Sequence, residues 1–146
     1  MGNFEQQQQV WRQLLSSKAK YISLGTRKRD GSVVRTPVWF VAEGTDVIVT
    51  TEGSSGKAKR MRNYPEIDLA ECDMRGRIRG ELVTAAAAVL PASAHSDQEK
   101  LFVKKFKLTY KIMNMLGRRT ARNNPADPDA GQIFIRISRD GFTAGA

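Results

Sequence analysis

Apolar residues recur at helical spacing along the first stretch of the chain. Phe4, Val10, Trp11, Leu14 and Leu15 share one face of a helix expected over residues 4–16. The period then changes. In KYISLGTRKRDGSVVRTPVWFVAEG, β-branched and aromatic runs flank Asp30-Gly31, a dipeptide suited to a hairpin turn. Glu43-Gly44 marks the next turn, and TDVIVTT reads as a third strand. A short helix is expected from Lys57 to Tyr64. It stops before Pro65, because a residue preceding proline avoids the α region. EIDLAECDM alternates as a fourth strand, and Arg75-Gly76 turns it into a long fifth strand over residues 77–90.

A further helix carries capping-box spacing at Ser96 and Glu99 and a closing glycine at Gly117. Phe102, Phe106, Met113 and Leu116 lie on one side of it, and Lys100, Lys104, Lys107 and Lys111 on the other. A loop rich in Pro, Asn and Asp follows, and IFIRISRDGF is the last strand. Six strands with two or three helices among them do not alternate as βαβα. Most strands join through tight turns, so the sheet is expected to be antiparallel. The chain is read as one α+β domain over residues 1–146, a small, partly open six-stranded β-barrel with flanking helices.

Composition narrows the function. A chain of 146 residues can bury one real core without staples. One cysteine, Cys72, precludes an internal disulfide and leans toward a reducing compartment. The polar, Gln-rich start lacks the apolar core of a signal peptide, and no stretch is long enough to span a bilayer, so a cytoplasmic location is expected. The net charge of +9 points to an anionic partner: nucleic acid, a phosphorylated cofactor or an acidic surface.

Little catalytic machinery is on offer. His95 is the single histidine and reads as a loop residue rather than a triad member. One Cys and one His do not build a zinc site from its usual ligands, so no metal is expected. Cys72 sits between Glu71 and Asp73, which disfavour its thiolate; it reads as a small buried hydrophobe. GSSGKA lacks the spacing of a P-loop. An enzyme with these side chains needs an organic cofactor for the hard chemistry.

The stretch TTEGSSGKAKRMRN is where a cofactor would sit. A Gly/Ser loop, Gly53 to Gly56, feeds a helix whose first N–H groups lack helical partners and carry a partial positive charge. Ser54 and Ser55 supply hydroxyls. Lys57 and Arg60 share a helix face and can close over a phosphate, whereas Lys59 and Arg62 point elsewhere. A flexible loop would let the backbone wrap the anion. A solvated basic helix is the plain alternative. Pro37, inside the strand VVRTPVWFVAEG, requires an edge or a bulge there, freeing backbone groups beside Thr36 and Val38 for a planar ligand. Trp39 and Phe40 either flank that ligand or belong to the core.

The combination TPVWF, TT, SGKAKRMRNYP and CDMRG resembles the split β-barrel flavin and deazaflavin oxidoreductases, the pyridoxamine 5′-phosphate oxidase-like family. It resembles in particular the branch that uses coenzyme F420. The resemblance covers about residues 18–140. It implies a six-stranded split barrel, a homodimer, and a cofactor site at the dimer interface. Carried over position by position, it implies that Ser55, Lys57 and Arg60 hold the cofactor phosphate. Thr36, Pro37 and Val38 then line the ring system, and Thr50 and Thr51 meet the ribityl-like chain. The partner subunit adds contacts near Arg77 or Arg79. The substrate-phosphate residues of pyridoxamine phosphate oxidases have no counterpart here. Three functions remain open at this point. One is an oxidoreductase moving a hydride between coenzyme F420 and an unsaturated organic substrate. The second is an FMN-binding protein of the same fold. The third is a non-catalytic module for anions or nucleic acid, which lacks support from any helix-turn-helix, zinc-finger or RNA-binding signature. The lysine row is either a solvated helix face or a steering surface for an acidic ligand tail.

Overall fold

The structure, a computed structural model, describes residues 3–107 and 131–140. Helix α1 (Phe4–Leu15) is followed by strands β1 (Tyr21–Arg27), β2 (Val33–Glu43) and β3 (Asp46–Glu52). Helix α2 (Gly56–Asn63) comes next, then β4 (Glu66–Cys72) and β5 (Val83–Val89). After one 3₁₀ turn over Ala92–Ala94, residues 95–107 form α3, and β6 (Gln132–Ser138) closes the sheet. The strands are all antiparallel and join in the order β1-β2-β3-β6-β5-β4 around a closed barrel.

Strand alternation sorts the residues by face. Ile22, Leu24, Val38, Phe40, Val47, Val49, Ile67, Leu69, Ile135 and Ile137 fill the interior, joined by Trp11 and Leu14 from α1 and Met61 from α2. Outside the barrel, Val41, Ile48 and Phe134 are covered by Phe102 and Phe106 of α3. Trp39 stacks on Phe106 with ring centroids 4.5 Å apart. Phe40 is thus core and Trp39 belongs to the outer aromatic layer.

Among the described residues the closure between β2 and β3 is partial. The β2–β3 ladder covers only Phe40–Glu43 against Asp46–Val49. Beyond it, residues 33–39 of β2 keep β1 on one flank, while Thr50 to Glu52 of β3 stay with β6. Pro37 lies in this stretch beyond the β3 ladder, as its missing N–H requires. Phe40 donates its N–H to Lys20 on the β1 side. By alternation, the backbone groups of Arg35 and Pro37 face the side away from β1.

Several sequence expectations shift. The long fifth strand is broken. Residues 77–79 fold back on 71–73 as a tight hairpin, held by Arg79 N–H to Glu71 C=O and the Cys72–Ile78 bridge. Residues 80–82 then bulge toward α1, where Gln6 donates to Glu81 and Gln7 to the Leu82 carbonyl, before β5 resumes. The fourth strand ends at Cys72, and the last strand at Ser138. Ser96 is not an N-cap, because helical geometry already holds at 95, after the 3₁₀ turn. Phe4 is 63% exposed at the start of α1 and does not join the apolar face. Met113, Leu116, Lys111 and Gly117 lie outside the described residues. Lys100, Lys104 and Lys107 are exposed, as a row facing solvent should be.

Lys105 is the lysine of α3 that turns inward. Its Nζ donates to the Phe40 carbonyl at 2.7 Å and sits 3.8 Å from the Phe40 ring centroid. Burial lowers its amine to about 8, opposed in part by the Glu71 carboxylate. The unfolded chain therefore binds more protons at this site between about pH 8 and the ordinary lysine value, and stability rises with pH across that window. Urea midpoints at pH 7.5 and pH 10 should differ in this sense for the native chain. The difference should shrink in Lys105→Met; an unchanged difference would mean that Lys105 is not the group responsible.

Candidate functional site

The site is assembled at the rim where α2 meets the open edge. Ser55 is the N-cap of α2, its hydroxyl oxygen accepting the Ala58 N–H at 3.2 Å. The same hydroxyl lies 3.4 Å from that of Thr51 at the end of β3. The backbone N–H groups of Gly56 and Lys57 have no hydrogen-bond acceptor among the described residues. They are the amides that an anion at this helix start would meet.

Two cations flank them. The Lys57 amine is half-buried, and that burial, followed by the Arg60 charge, holds it below the ordinary lysine value. Arg60 donates Nε–H to the hydroxyl of Thr26, a fully buried residue, at 2.7 Å. Its terminal nitrogens fold back over the helix start, so that a Cβ on Gly56 would stand 2.8 Å from Nη1. Neither cation has a carboxylate partner among the described residues, although acids are available elsewhere. Arg35 forks onto Asp68 at 2.6 and 2.9 Å, over the cleft left by Gly25. Arg136 is shared between Glu43 and Asp46.

The loop before α2 is pinned rather than loose. Gly53 donates its N–H to Gly131, Ser55 its N–H to Glu52, and Ser54 its hydroxyl to Glu52. Glu52 also accepts the Gly131 N–H at 2.7 Å. Arg62, expected to point away, donates to the Gly53 carbonyl at 2.9 Å and so braces the same loop. Lys59 is exposed, as expected. The backbone cradle is therefore the start of α2 rather than the whole Gly/Ser segment, and Ser54 is occupied within the loop.

Along the open edge, Thr36 and Val38 face the barrel interior, and Pro37 faces out. The Thr36 hydroxyl is buried and has no hydrogen-bond partner among the described residues, a costly state that a ligand group would relieve. Thr50 is committed: it donates to the Ile133 carbonyl at 3.0 Å and accepts from Gln132 Nε2 at 2.7 Å. Gln132 thus enters the rim through Thr50, and no motif in the sequence singled it out.

Arg77 and Arg79 are not brought to Lys57 and Arg60 within this chain. Both sit on the exposed 73–79 hairpin and pair with Asp73, Arg77 at 2.7 Å and Arg79 at 3.7 Å. The Arg77 amide and guanidinium hold the Asp73 carboxyl below its usual value. The hairpin tip lies beside the open edge, since a Cβ on Gly76 would come 3.6 Å from Pro37. His95 rests edge-on against Phe134 and 3.9 Å from Glu99, far from the role of a triad base. Cys72 is buried, and burial raises its thiol, with Asp73 and Glu71 adding to the effect. No cluster of His, Cys, Asp and Glu suited to a metal occurs among the described residues. Among them, too, no helix is long and apolar enough to cross a membrane.

No family model matches the chain, and no curated protein is detectably similar in sequence. Solved structures do match. An F420 reductase superposes with a TM-score of 0.57 at 17% identity, covering 90% of this chain and 95% of its own. A chain from Listeria innocua bearing a pyridoxamine 5′-phosphate oxidase designation gives a TM-score of 0.57 at 9% identity, covering 94% of each. HutZ, the heme storage protein of Vibrio cholerae, gives 0.59 at 12% identity, covering 99% of this chain and 100% of its own. These neighbours carry different ligands in their names, so they speak to architecture and leave the ligand to the site. This chain has the split-barrel fold that those proteins share.

Proposed function

We propose that this chain is an oxidoreductase that binds a phosphorylated flavin-type cofactor, coenzyme F420 in preference to FMN. The phosphate sits on the start of α2 and the ring along the open edge of β2. The observation that carries this reading is the meeting of two unpartnered amides, Gly56 and Lys57, with two cations that lack carboxylate partners among the described residues. The buried, unsatisfied hydroxyl of Thr36 on the adjoining edge fits a polar ring substituent.

The bound deazaflavin would supply the hydride for an unsaturated organic substrate. The chain's own groups bind and orient. Lys57 and Arg60 offset the phosphate charge, Arg60 as a fork and Lys57 as a point charge. Ser55 and Thr51 offer hydroxyls beside it. The apolar interior below Val38 excludes water from the inner face of the edge. The choice of deazaflavin rests on the TPVWF and SGKAKR pattern. The exposed lysines of α3 are compatible with an acidic cofactor tail.

The same reading makes the molecule a homodimer. The 73–79 hairpin exposes Met74 and Ile78 together with Arg75, Arg77 and Arg79, and pairing would bury this edge while bringing two arginines to a second copy's site. A monomer mass by light scattering would remove the dimer from the proposal.

The function is tested by titrating the protein with coenzyme F420, FMN and riboflavin in parallel. Tight binding of F420, weaker FMN and negligible riboflavin is the expected order, because riboflavin lacks the phosphate. Riboflavin binding as well as FMN would overturn the phosphate site. A preference for FMN over F420 would select the flavin reading.

A further inference from the structure

We infer that Thr26, on β1, is the positioning residue for Arg60: its hydroxyl fixes the guanidinium so that the terminal edge faces the start of α2. The inference rests on the phosphate reading above and adds to it a residue that touches no ligand.

Thr26 is fully buried at the inward-facing rim of β1, one inward position beyond Leu24. A hydroxyl there costs free energy unless bonded, and valine would fill the same volume without that cost. The hydroxyl is used in both directions. It donates to the Val34 carbonyl at 3.4 Å across the β1–β2 ladder, a long bond, and accepts Arg60 Nε–H at 2.7 Å. The donor side orients the oxygen; the acceptor side takes one defined nitrogen of Arg60.

That choice of nitrogen matters. A guanidinium is a planar fork, so committing Nε leaves the terminal nitrogens as the presented edge. Gly56 shows where this edge lies, because an added Cβ would come within 2.8 Å of Nη1 and 3.9 Å of Nη2. The amides of Gly56 and Lys57 open at the same place. Lys57 repels Arg60, and without an anion between them the longer side chain would swing out to water. The Thr26 bond opposes that swing and keeps the fork in place before a ligand arrives. An arginine ordered in advance loses less rotamer freedom on binding.

The test compares wild type, Thr26→Val, Thr26→Ser, Arg60→Ala and the Thr26→Val/Arg60→Ala double variant. Coenzyme F420 and FMN serve as ligands. Arg60 Nε–H exchange is followed by nitrogen-15 NMR without ligand. Thr26→Val should speed Nε–H exchange and weaken both ligands about 2- to 10-fold, the range of one ordinary hydrogen bond. Thr26→Ser should restore both. In the Arg60→Ala background, Thr26→Val should add nothing, since the two act as one unit. Normal wild-type binding with Thr26→Val unchanged in affinity or exchange would overturn this assignment and leave the phosphate site standing. So would an equal loss in the Arg60→Ala background. Binding of neither ligand by wild type would overturn the phosphate reading and this assignment with it.

Discussion

Arg60→Ala is expected to weaken binding of the phosphorylated cofactor by roughly 10- to 150-fold, the scale of hydrogen bonds to a charged group. Lys57→Ala should cost somewhat less, because an ammonium gives one contact where a guanidinium forks. Arg60→Lys should recover only part of the loss, for the same reason. Lys59→Ala should change little, since the side chain is exposed. Arg62→Ala should fall between, because it acts on the site only through the Gly53 carbonyl. The fold should survive each change: α2 is anchored by its buried Ala58 and Met61, which none of them alters. Affinity should also fall with rising pH earlier than an ordinary lysine would dictate, because Lys57 loses its proton more readily in the empty site. A binding titration of the five variants gives the ranking. Equal losses at Lys59 and Arg60 would reduce the site to general positive charge and favour the nucleic-acid alternative.

Trp11→Ala is expected to cost about 3–5 kcal/mol of stability, the range for deleting a large buried aromatic side chain. Trp11 is fully buried, and its indole N–H donates to the Thr45 carbonyl at 3.0 Å, tying α1 to the β2–β3 turn. It closes the barrel interior from the α1 side, beside Leu14. A domain of this size typically has about 5–15 kcal/mol in total, so the variant should unfold at much lower urea. Trp11→Phe should be milder, losing the carbonyl bond and part of the volume. Gln7 reinforces the same helix, accepting from the Thr84 N–H and from Arg139. A urea midpoint for Trp11→Ala within error of wild type would show that α1 is not part of the cooperative core.

Much of this was legible in the sequence because it follows from local rules. β-branched and aromatic runs bounded by turn signals placed β1 to β3, alternation placed β4, and Pro37 alone announced the edge that the β2–β3 ladder leaves. The Gly/Ser loop feeding KAKRMRNY placed the helix start at Lys57, within a residue of Gly56. What was hidden depends on partners distant in sequence. The break at residues 80–82 is set by α1, whose Gln6 and Gln7 hold the bulge. The pinning of the Gly/Ser loop comes from Gly131, and no loop composition reveals a bond to a residue so far along the chain. Lys105 looked like any lysine between Lys104 and Lys107, yet one step around the helix puts it against Phe40. The Thr26–Arg60 bond joins residues from two elements and left no pattern in either.

The central claim, that the start of α2 is an anion cradle for a cofactor phosphate, is tested most directly by amide nitrogen-15 spectra recorded during cofactor addition. The amides of Gly56 and Lys57 have no acceptor in the protein as described. They should shift strongly toward lower field and become protected from exchange as FMN or coenzyme F420 binds, while Gly53, already bonded to Gly131, should move little. Saturable binding that leaves the Gly56 and Lys57 signals in place would contradict the account.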